Sequence, residues 1–131
     1  MKVEIRNWMN SKIITWQEVD CPPDTSHSRA LGLAAEKAVR AGVSLHCANL
    51  HEADMRGLKM TGAILSCSDM TGADLRDSDL RDADFGNAII DGADLRGANL
   101  TNVDVFGTDM ECAKLDDNIV IIDEPGKYRI K

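Results

Sequence analysis

The chain has few of the residues that build a thick globular core or cross a membrane. Only five of its 131 residues are aromatic, and only three are proline. No apolar run approaches the ~18 residues that a membrane helix needs, and the first residues lack the apolar stretch of a signal peptide. Because Ala, Leu and Met supply most of the apolar content, we expect one cytoplasmic domain with a narrow core.

Positive charge is also scarce, since fifteen Lys and Arg stand against twenty-two Asp and Glu, for a net charge of −7. A chain this acidic is not expected to bind nucleic acid directly or to adhere to an anionic membrane. Residues typical of enzymes are sparse as well, because there are three histidines and no glycine-rich phosphate loop. We therefore predict no catalytic residue, no cofactor and no enzymatic activity.

What the sequence has instead is a repeat of five residues. Every fifth position from Leu45 to Leu115 is apolar, without exception over fifteen positions. We call each of these apolar positions the centre of a five-residue unit. The residue two positions before each centre is mostly small, and it is Ala in nine of the fifteen units. The remaining positions are rich in Asp, Asn, Arg, Thr and Gly.

A period of five fits neither an α-helix nor a flat strand. On a helix the centres would scatter around the axis, and on a strand successive centres would point to opposite faces. The chain must therefore bend between units, and Asp, Asn and Gly are suitable turn residues. Short extended pieces joined by tight turns would point one large and one small residue inward and bury them by stacking, as solenoids do.

Four units carry a resemblance to a known family: residues 73–77 (ADLRD), 83–87 (ADFGN), 93–97 (ADLRG) and 98–102 (ANLTN). They resemble the A-(D/N)-(L/F)-x-x unit of pentapeptide-repeat proteins. The resemblance implies an all-β solenoid, a right-handed four-sided β-helix with twenty residues per coil and nearly four coils here. It also implies a mainly non-enzymatic protein.

The predicted core of this β-helix consists of the large centres and the small residues beside them. We expect nine residues to be buried: Leu75, Leu80, Phe85, Ile90, Leu95, Ala73, Ala83, Ala88 and Ala93.

The chain divides into three parts, because a solenoid needs covers at its open ends. Residues 1–42 are predicted to form an N-terminal cap, with a β-hairpin turning at Asn10-Ser11 and a helix over about residues 28–41. In that hairpin Val3, Ile5, Met9, Ile14 and Trp16 would share the apolar face. Residues 43–118 form the β-helix, and 119–131 a C-terminal cap or tail with a turn at Asp123–Gly126. Similar N-terminal caps occur in short pentapeptide-repeat proteins of phages and prophages.

Cys47 and Cys67 are twenty residues apart, so they would stack at one corner of a four-sided coil, at a spacing that permits a disulfide. We expect two free thiols, and the disulfide stays an alternative. His46, His51, Cys47 and Cys67 also raise the alternative of a zinc site in the first coil. Their spacing matches no usual zinc motif, so we predict no metal.

Charge is distributed unevenly over the four predicted sides. One side alternates Asp54, Asp74 and Asp94 with Arg56, Arg76 and Arg96. The preceding side carries acidic residues and no Lys or Arg: Glu52, Asp69, Asp91, Asp109 and Glu111. A surface of one sign can steer a basic partner, so these five are the candidate partner-binding residues.

Three functions remain open. The first is a scaffold whose outer faces bind a protein with a basic surface. The second follows from the resemblance, because some pentapeptide-repeat proteins mimic DNA on type II topoisomerases. The third is a metal-binding or enzymatic site in the first coil. The sequence leaves the partner, and the choice between monomer and dimer, open.

Overall fold

The computed structural model describes residues 1–124 and 127–131. Regular elements lie at both ends of the chain: β1 (Lys2–Arg6), β2 (Ile13–Glu18), α1 (His27–Arg40), a 3-10 turn (Met110–Cys112), β3 (Ile121–Glu124) and β4 (Lys127–Ile130). In this described part of the chain, no helix has the length and apolar character to cross a membrane.

Between α1 and β3 the chain winds as a β-helix. Parallel bridges join residues twenty positions apart, such as Asn49 with Asp69 and Asp69 with Ile89. The backbone N–H of Leu75 donates to the carbonyl of Asp94 at 2.8 Å, and equivalent bonds recur along the repeat. Four pentapeptides therefore complete one coil, and each side contributes a short bridge instead of a long strand.

The polar positions of the repeat shape its turns, as the sequence predicts. The acidic residue before a centre accepts a hydrogen bond from the backbone two residues on, as Asp74 Oδ1 does from Arg76 N at 3.2 Å. From Cys47 to Gly107 the last residue of each unit has a positive φ, for example 67° at Gly72 and 59° at Asp77. That left-handed conformation at the third turn position is typical of type II turns and favours Gly, Asn and Asp.

The interior contains the two inward series. All nine predicted core residues are buried: Leu75, Leu80, Phe85, Ile90, Leu95, Ala73, Ala83, Ala88 and Ala93. Two serines replace Ala at the small position and are also buried. The Ser68 hydroxyl donates to the Leu65 carbonyl at 2.6 Å, and the Ser78 hydroxyl to the Leu75 carbonyl at 2.7 Å. These bonds replace the water that each hydroxyl loses on burial.

The N-terminal hairpin is present, but its predicted register is wrong by one residue. Ile5 pairs with Thr15 and Glu4 with Trp16. Trp16 therefore lies on the outer face and is 54% exposed. Met9, also predicted on the apolar face, is 67% exposed. The connection between the strands is longer than two residues, because Asn7 donates its backbone N–H to the Lys12 carbonyl at 2.8 Å.

Helix α1 (His27–Arg40) begins at the N-cap Ser26, whose side chain accepts from Arg29 N. The helix lies against the first coil, since Asp54 N donates to the Ser28 carbonyl at 3.0 Å and Lys59 N to Glu36 Oε2 at 2.8 Å. Gly32 marks the closest approach. A Cβ there would lie 1.9 Å from the Asp54 carbonyl oxygen.

At the other end, β3 and β4 pair antiparallel. Strand β4 joins the last coil, because Asn102 N donates to the Ile130 carbonyl at 2.7 Å and Ile130 N to the Val103 carbonyl at 3.0 Å. Ile130 is buried there. The predicted turn at Asp123–Gly126 includes Pro125 and Gly126, which lie outside the described residues.

Candidate functional site

The five candidate partner-binding residues follow one side of the β-helix. We call it the acidic side and define it as residues 48–52, 68–72, 88–92 and 108–112. Backbone bonds stack these segments, since Glu52 N donates to the Thr71 carbonyl, Gly72 N to the Asp91 carbonyl and Gly92 N to the Cys112 carbonyl, all at 2.8–2.9 Å. None of these twenty residues is Lys or Arg.

The five carboxylates are not equivalent. Glu52, Asp91, Asp109 and Glu111 are exposed, whereas Asp69 is half-buried. Asp69 Oδ1 accepts from both the backbone and the hydroxyl of Thr71, at 3.0 and 2.6 Å. Asp109 Oδ1 likewise accepts from Glu111 N at 3.0 Å. Asp69 and Asp109 therefore help to hold the turns, while Glu52, Asp91 and Glu111 present their charge outward.

The negative charge of the acidic side is evident at Cys112. Its Sγ lies 3.2 Å from Asp109 Oδ2. That hydrogen bond, followed by partial desolvation and the charges of Asp109 and Asp91, raises the pKa of Cys112 to about 11. The shift has this direction because nearby carboxylates disfavour a thiolate.

The next side, residues 53–57, 73–77, 93–97 and 113–117, contains three arginine–aspartate pairs, and we call it the Arg–Asp side. Three guanidinium groups bind the acidic residue two positions earlier, with Nη2–Oδ2 distances of 2.8, 2.6 and 2.6 Å for the pairs Arg56–Asp54, Arg76–Asp74 and Arg96–Asp94.

The Arg–Asp side also has weaker links between coils, since Arg56 Nε and Arg76 Nε each lie 3.7 Å from the aspartate of the following coil. The hydrogen bond from Arg96 lowers the pKa of Asp94 to about 2. Asp54, Asp74 and Asp94 therefore each have a guanidinium partner within 2.8 Å, and the same side also carries Asp77, Asp116 and Asp117.

A cavity borders the acidic side where it meets the N-terminal hairpin, and its lining includes Lys2, Arg6, His51 and Glu52. These two cations already have partners within the hairpin. Arg6 binds Glu4 at 2.6 Å, and the Lys2 ammonium lies 4.0 Å from the centre of the Trp16 ring. The N-terminal hairpin therefore borders one end of the acidic side, and both of these cations have a partner within the hairpin.

Of the four residues considered as alternative zinc ligands, three lie together and the fourth lies apart. The ligand atoms of His46, Cys47 and Cys67 all lie within 4.8 Å of one another. His51 is not part of that group, and its Nε2 lies 3.7 Å from Glu52 Oε1. Cys47 and Cys67 are free thiols, as expected. Sequence reasoning missed Met9 beside them, because the predicted hairpin register placed it on the buried face.

Comparison with known proteins agrees with the repeat. A family model described as "Pentapeptide repeats (8 copies)" matches residues 44–82 and 78–117. That match covers more than half of the chain, and it implies a right-handed β-helix solenoid for the repeat region. No curated protein matches the chain.

Two solved structures are similar to parts of the chain. One is a pentapeptide repeat protein, Rfr23, from the cyanobacterium Cyanothece 51142. It is 27% identical over 57% of this chain and 58% of its own, with a TM-score of 0.35. The other is alr5209, a pentapeptide repeat protein from Nostoc Pcc 7120. It is 28% identical over 62% of this chain and 82% of its own, with a TM-score of 0.31. This chain thus spans 58% of the length of the first.

Proposed function

We propose that this chain, which belongs to the pentapeptide repeat family, is a non-enzymatic scaffold that binds a protein through its acidic side. The observation that supports this function is the contrast between two neighbouring sides. Three carboxylates of the Arg–Asp side are paired with guanidinium groups at 2.6–2.8 Å, whereas the acidic side has no Lys or Arg of its own. A basic protein surface would supply the missing positive charge.

The rigidity of the rod favours such an interface. Hydrogen bonds between coils hold successive coils about 4.8 Å apart, so Asp91 and Glu111 lie one coil apart and Glu52 lies nearly two coils from Asp91. A partner's Lys and Arg side chains would meet charges that are already in place, so little conformational entropy is lost on this chain's side of the contact. In this proposal the rod has nearly four coils, and the hairpin with α1 and the β3–β4 hairpin cap its two ends.

A second function is mimicry of duplex DNA towards a DNA-binding enzyme, such as a type II topoisomerase. The charge density of the repeat region favours DNA mimicry. Residues 43–117 carry fifteen acidic and six basic residues, and the coils would extend over ~18 Å at about 4.8 Å each. That is about one net negative charge per 2 Å, close to the one per about 1.7 Å of duplex DNA.

The two functions are tested with the same pair of triple variants. The first combines Glu52→Gln, Asp91→Asn and Glu111→Gln, which remove three exposed charges of the acidic side. The matched control combines Asp77→Asn, Asp82→Asn and Asp117→Asn, which remove three exposed charges elsewhere. This control is better than changing Asp54, Asp74 and Asp94, because those carboxylates hold the arginines of the Arg–Asp side.

A partner is first captured from the native host with the full chain, and association rates are then measured against salt. We expect the acidic-side triple to slow association at least about tenfold and the control to have a smaller effect, with binding weakening as salt rises. Equal effects of the two triples, or no salt dependence, would contradict the proposal. A DNA supercoiling assay with a type II topoisomerase tests the second function. That function requires that the parent chain inhibits the enzyme and that the acidic-side triple variant does not.

A further inference from the structure

Soft metal-ligand atoms converge on a different side of the β-helix, at the corner shared by the first two coils. The cluster consists of one imidazole and two thiols, with ligand atoms within 4.8 Å of one another. Cys47 is buried, Cys67 half-buried and His46 exposed, so the cluster opens to solvent on one side. We propose that His46, Cys47 and Cys67 bind one thiophilic cation, of which Zn²⁺ and Cu⁺ are the biological examples.

The distances suit such an ion after a small adjustment. Zinc binds sulfur at about 2.3 Å and imidazole nitrogen at about 2.0 Å, so ligand atoms around a tetrahedral ion lie about 3.5–3.8 Å apart. The cluster must therefore contract by about 1 Å, and rotation of the exposed His46 side chain about χ1 moves its ring nitrogens farther than that. Two thiolates and an imidazole form a donor set that selects Zn²⁺ or Cu⁺ over Mg²⁺ or Ca²⁺.

The backbone at the two cysteines supports a role beyond packing. Cys47 and Cys67 have φ values of 59° and 55°, in the left-handed region that costs a non-glycine residue of order 1–3 kcal/mol. The next two coils place Asn87 and Gly107 at the equivalent position, and both residue types tolerate that conformation well. The chain thus has cysteine in two stacked positions where other residues would be less strained.

Neighbouring groups orient the cluster and extend it. The Ser66 hydroxyl lies 2.8 Å from His46 Nδ1, and such contacts fix the ring of a metal-binding histidine. Trp8 Nε1 donates to the Cys67 carbonyl at 2.6 Å, which ties the N-terminal hairpin to this corner. Met9 Sδ lies 3.8 Å from Cys47 Sγ. A thioether at that distance can become a fourth ligand, and it is one that Cu⁺ accepts.

Proton release accompanies binding, because a thiolate is the form that coordinates metal. Protons therefore compete with the cation for the sulfur atoms, and affinity should fall as the pH is lowered.

The test uses the reduced full-length chain, titrated with Zn²⁺ against a chelating dye and with Cu⁺ against bicinchoninate. We expect one equivalent to bind and the melting temperature to rise. Co²⁺ should give a thiolate charge-transfer band in the near ultraviolet. Cys67→Asn should weaken binding at least about 100-fold, and Ser66→Ala about tenfold. Cys67→Asn is expected to fold, since Asn87 occupies the same position one coil further on.

Cys112→Ser is the matched control, because it removes an exposed thiol elsewhere and should leave metal affinity unchanged. Met9→Leu separates the two cations: a greater loss for Cu⁺ than for Zn²⁺ would assign the site to Cu⁺, and equal losses would assign it to Zn²⁺. The proposal is overturned if the reduced chain takes up neither metal. It is equally overturned if Cys67→Asn folds and binds as the parent does, or if Cys47 and Cys67 form a disulfide in the presence of excess Zn²⁺.

Discussion

Replacing Gly32 by alanine tests how closely α1 lies on the first coil. In a helix that packs against nothing, Gly→Ala stabilises by about 1 kcal/mol. Here the added Cβ would lie 1.9 Å from the Asp54 carbonyl oxygen and 2.7 Å from its carbonyl carbon, where ordinary contact begins at 3.4 Å. Both nearest atoms are backbone, so a side-chain rotation cannot relieve the clash.

The helix must therefore move away from the coil. That movement adds an overpacking cost of about 1–3 kcal/mol. It also stretches the bond from Asp54 N to the Ser28 carbonyl, now 3.0 Å, and losing a hydrogen bond of this kind costs about 1 kcal/mol. Since the gain in helix propensity offsets about 1 kcal/mol, we expect Gly32→Ala to lower the free energy of unfolding by about 1–3 kcal/mol.

The measurement is thermal and urea-induced unfolding, followed by circular dichroism. At this chain length the expected loss corresponds to a fall of about 4–12 °C in melting temperature. Arg40→Ala is the control in the same helix, because the Arg40 side chain is 69% exposed and its loss should change stability by under about 0.5 kcal/mol. If Gly32→Ala melts above the parent, α1 does not lie on the coil as described.

Three further outcomes are expected. Ala83→Leu adds volume at a fully buried position and should cost about 1–3 kcal/mol in urea unfolding. Arg76→Ala, on the outer surface, should lower the free energy of unfolding by under about 0.5 kcal/mol. Equal losses of stability in Ala83→Leu and Arg76→Ala would refute the inward position of Ala83. Because Arg96 holds the pKa of Asp94 at about 2, the stability from this pair is present above the unfolded pKa of about 4 and is lost as the pH falls to about 2. Asp94→Asn should make the fall of the melting temperature over that range less steep, and an unchanged profile would count against the pair. Deleting residues 1–40 should promote self-association in size-exclusion chromatography, whereas a monomer with the parental melting temperature would show the cap to be an independent appendage.

The repeat region could be predicted in detail because each of its positions has one dominant physical requirement. Large centres such as Leu75 and small partners such as Ala73 point inward, and both are buried. Asp74 precedes its centre and accepts the turn hydrogen bond from Arg76 N. A register set by fifteen apolar centres cannot slip by one residue without exposing all of them.

The N-terminal hairpin was harder to predict, because a single hairpin has no repeated pattern to fix its register. The predicted two-residue turn placed Trp16 on the apolar face, whereas the longer connection and the register shift between Ile5 and Arg6 place it opposite Glu4 on the outer face. The role of Gly32 was also beyond sequence reasoning, since the atoms it avoids belong to Asp54, 22 residues away.

The candidate sites were predicted in part, because stacking could be derived from the twenty-residue coil. It placed the acidic residues on one side and Cys47 near Cys67. What it could not show is which carboxylates also hold the backbone, as Asp69 does for Thr71, or that Met9 Sδ lies 3.8 Å from Cys47 Sγ. Those details depend on side-chain rotamers and on the hairpin loop.

The hydrogen bonds between coils have a consequence for how the chain folds. Each one closes a loop of about twenty residues, because donors and acceptors such as those of Leu75 and Asp94 are nineteen positions apart. Closing such a loop costs about 2.7 kcal/mol in chain entropy, and every coil requires the same amount. The rod can therefore grow coil by coil from any point, as other solenoids do. The bond from Trp8 Nε1 to the Cys67 carbonyl spans 59 positions, so in an unfolded chain its loop costs about 1 kcal/mol more. We expect the hairpin to dock late, once the first two coils have formed its binding surface.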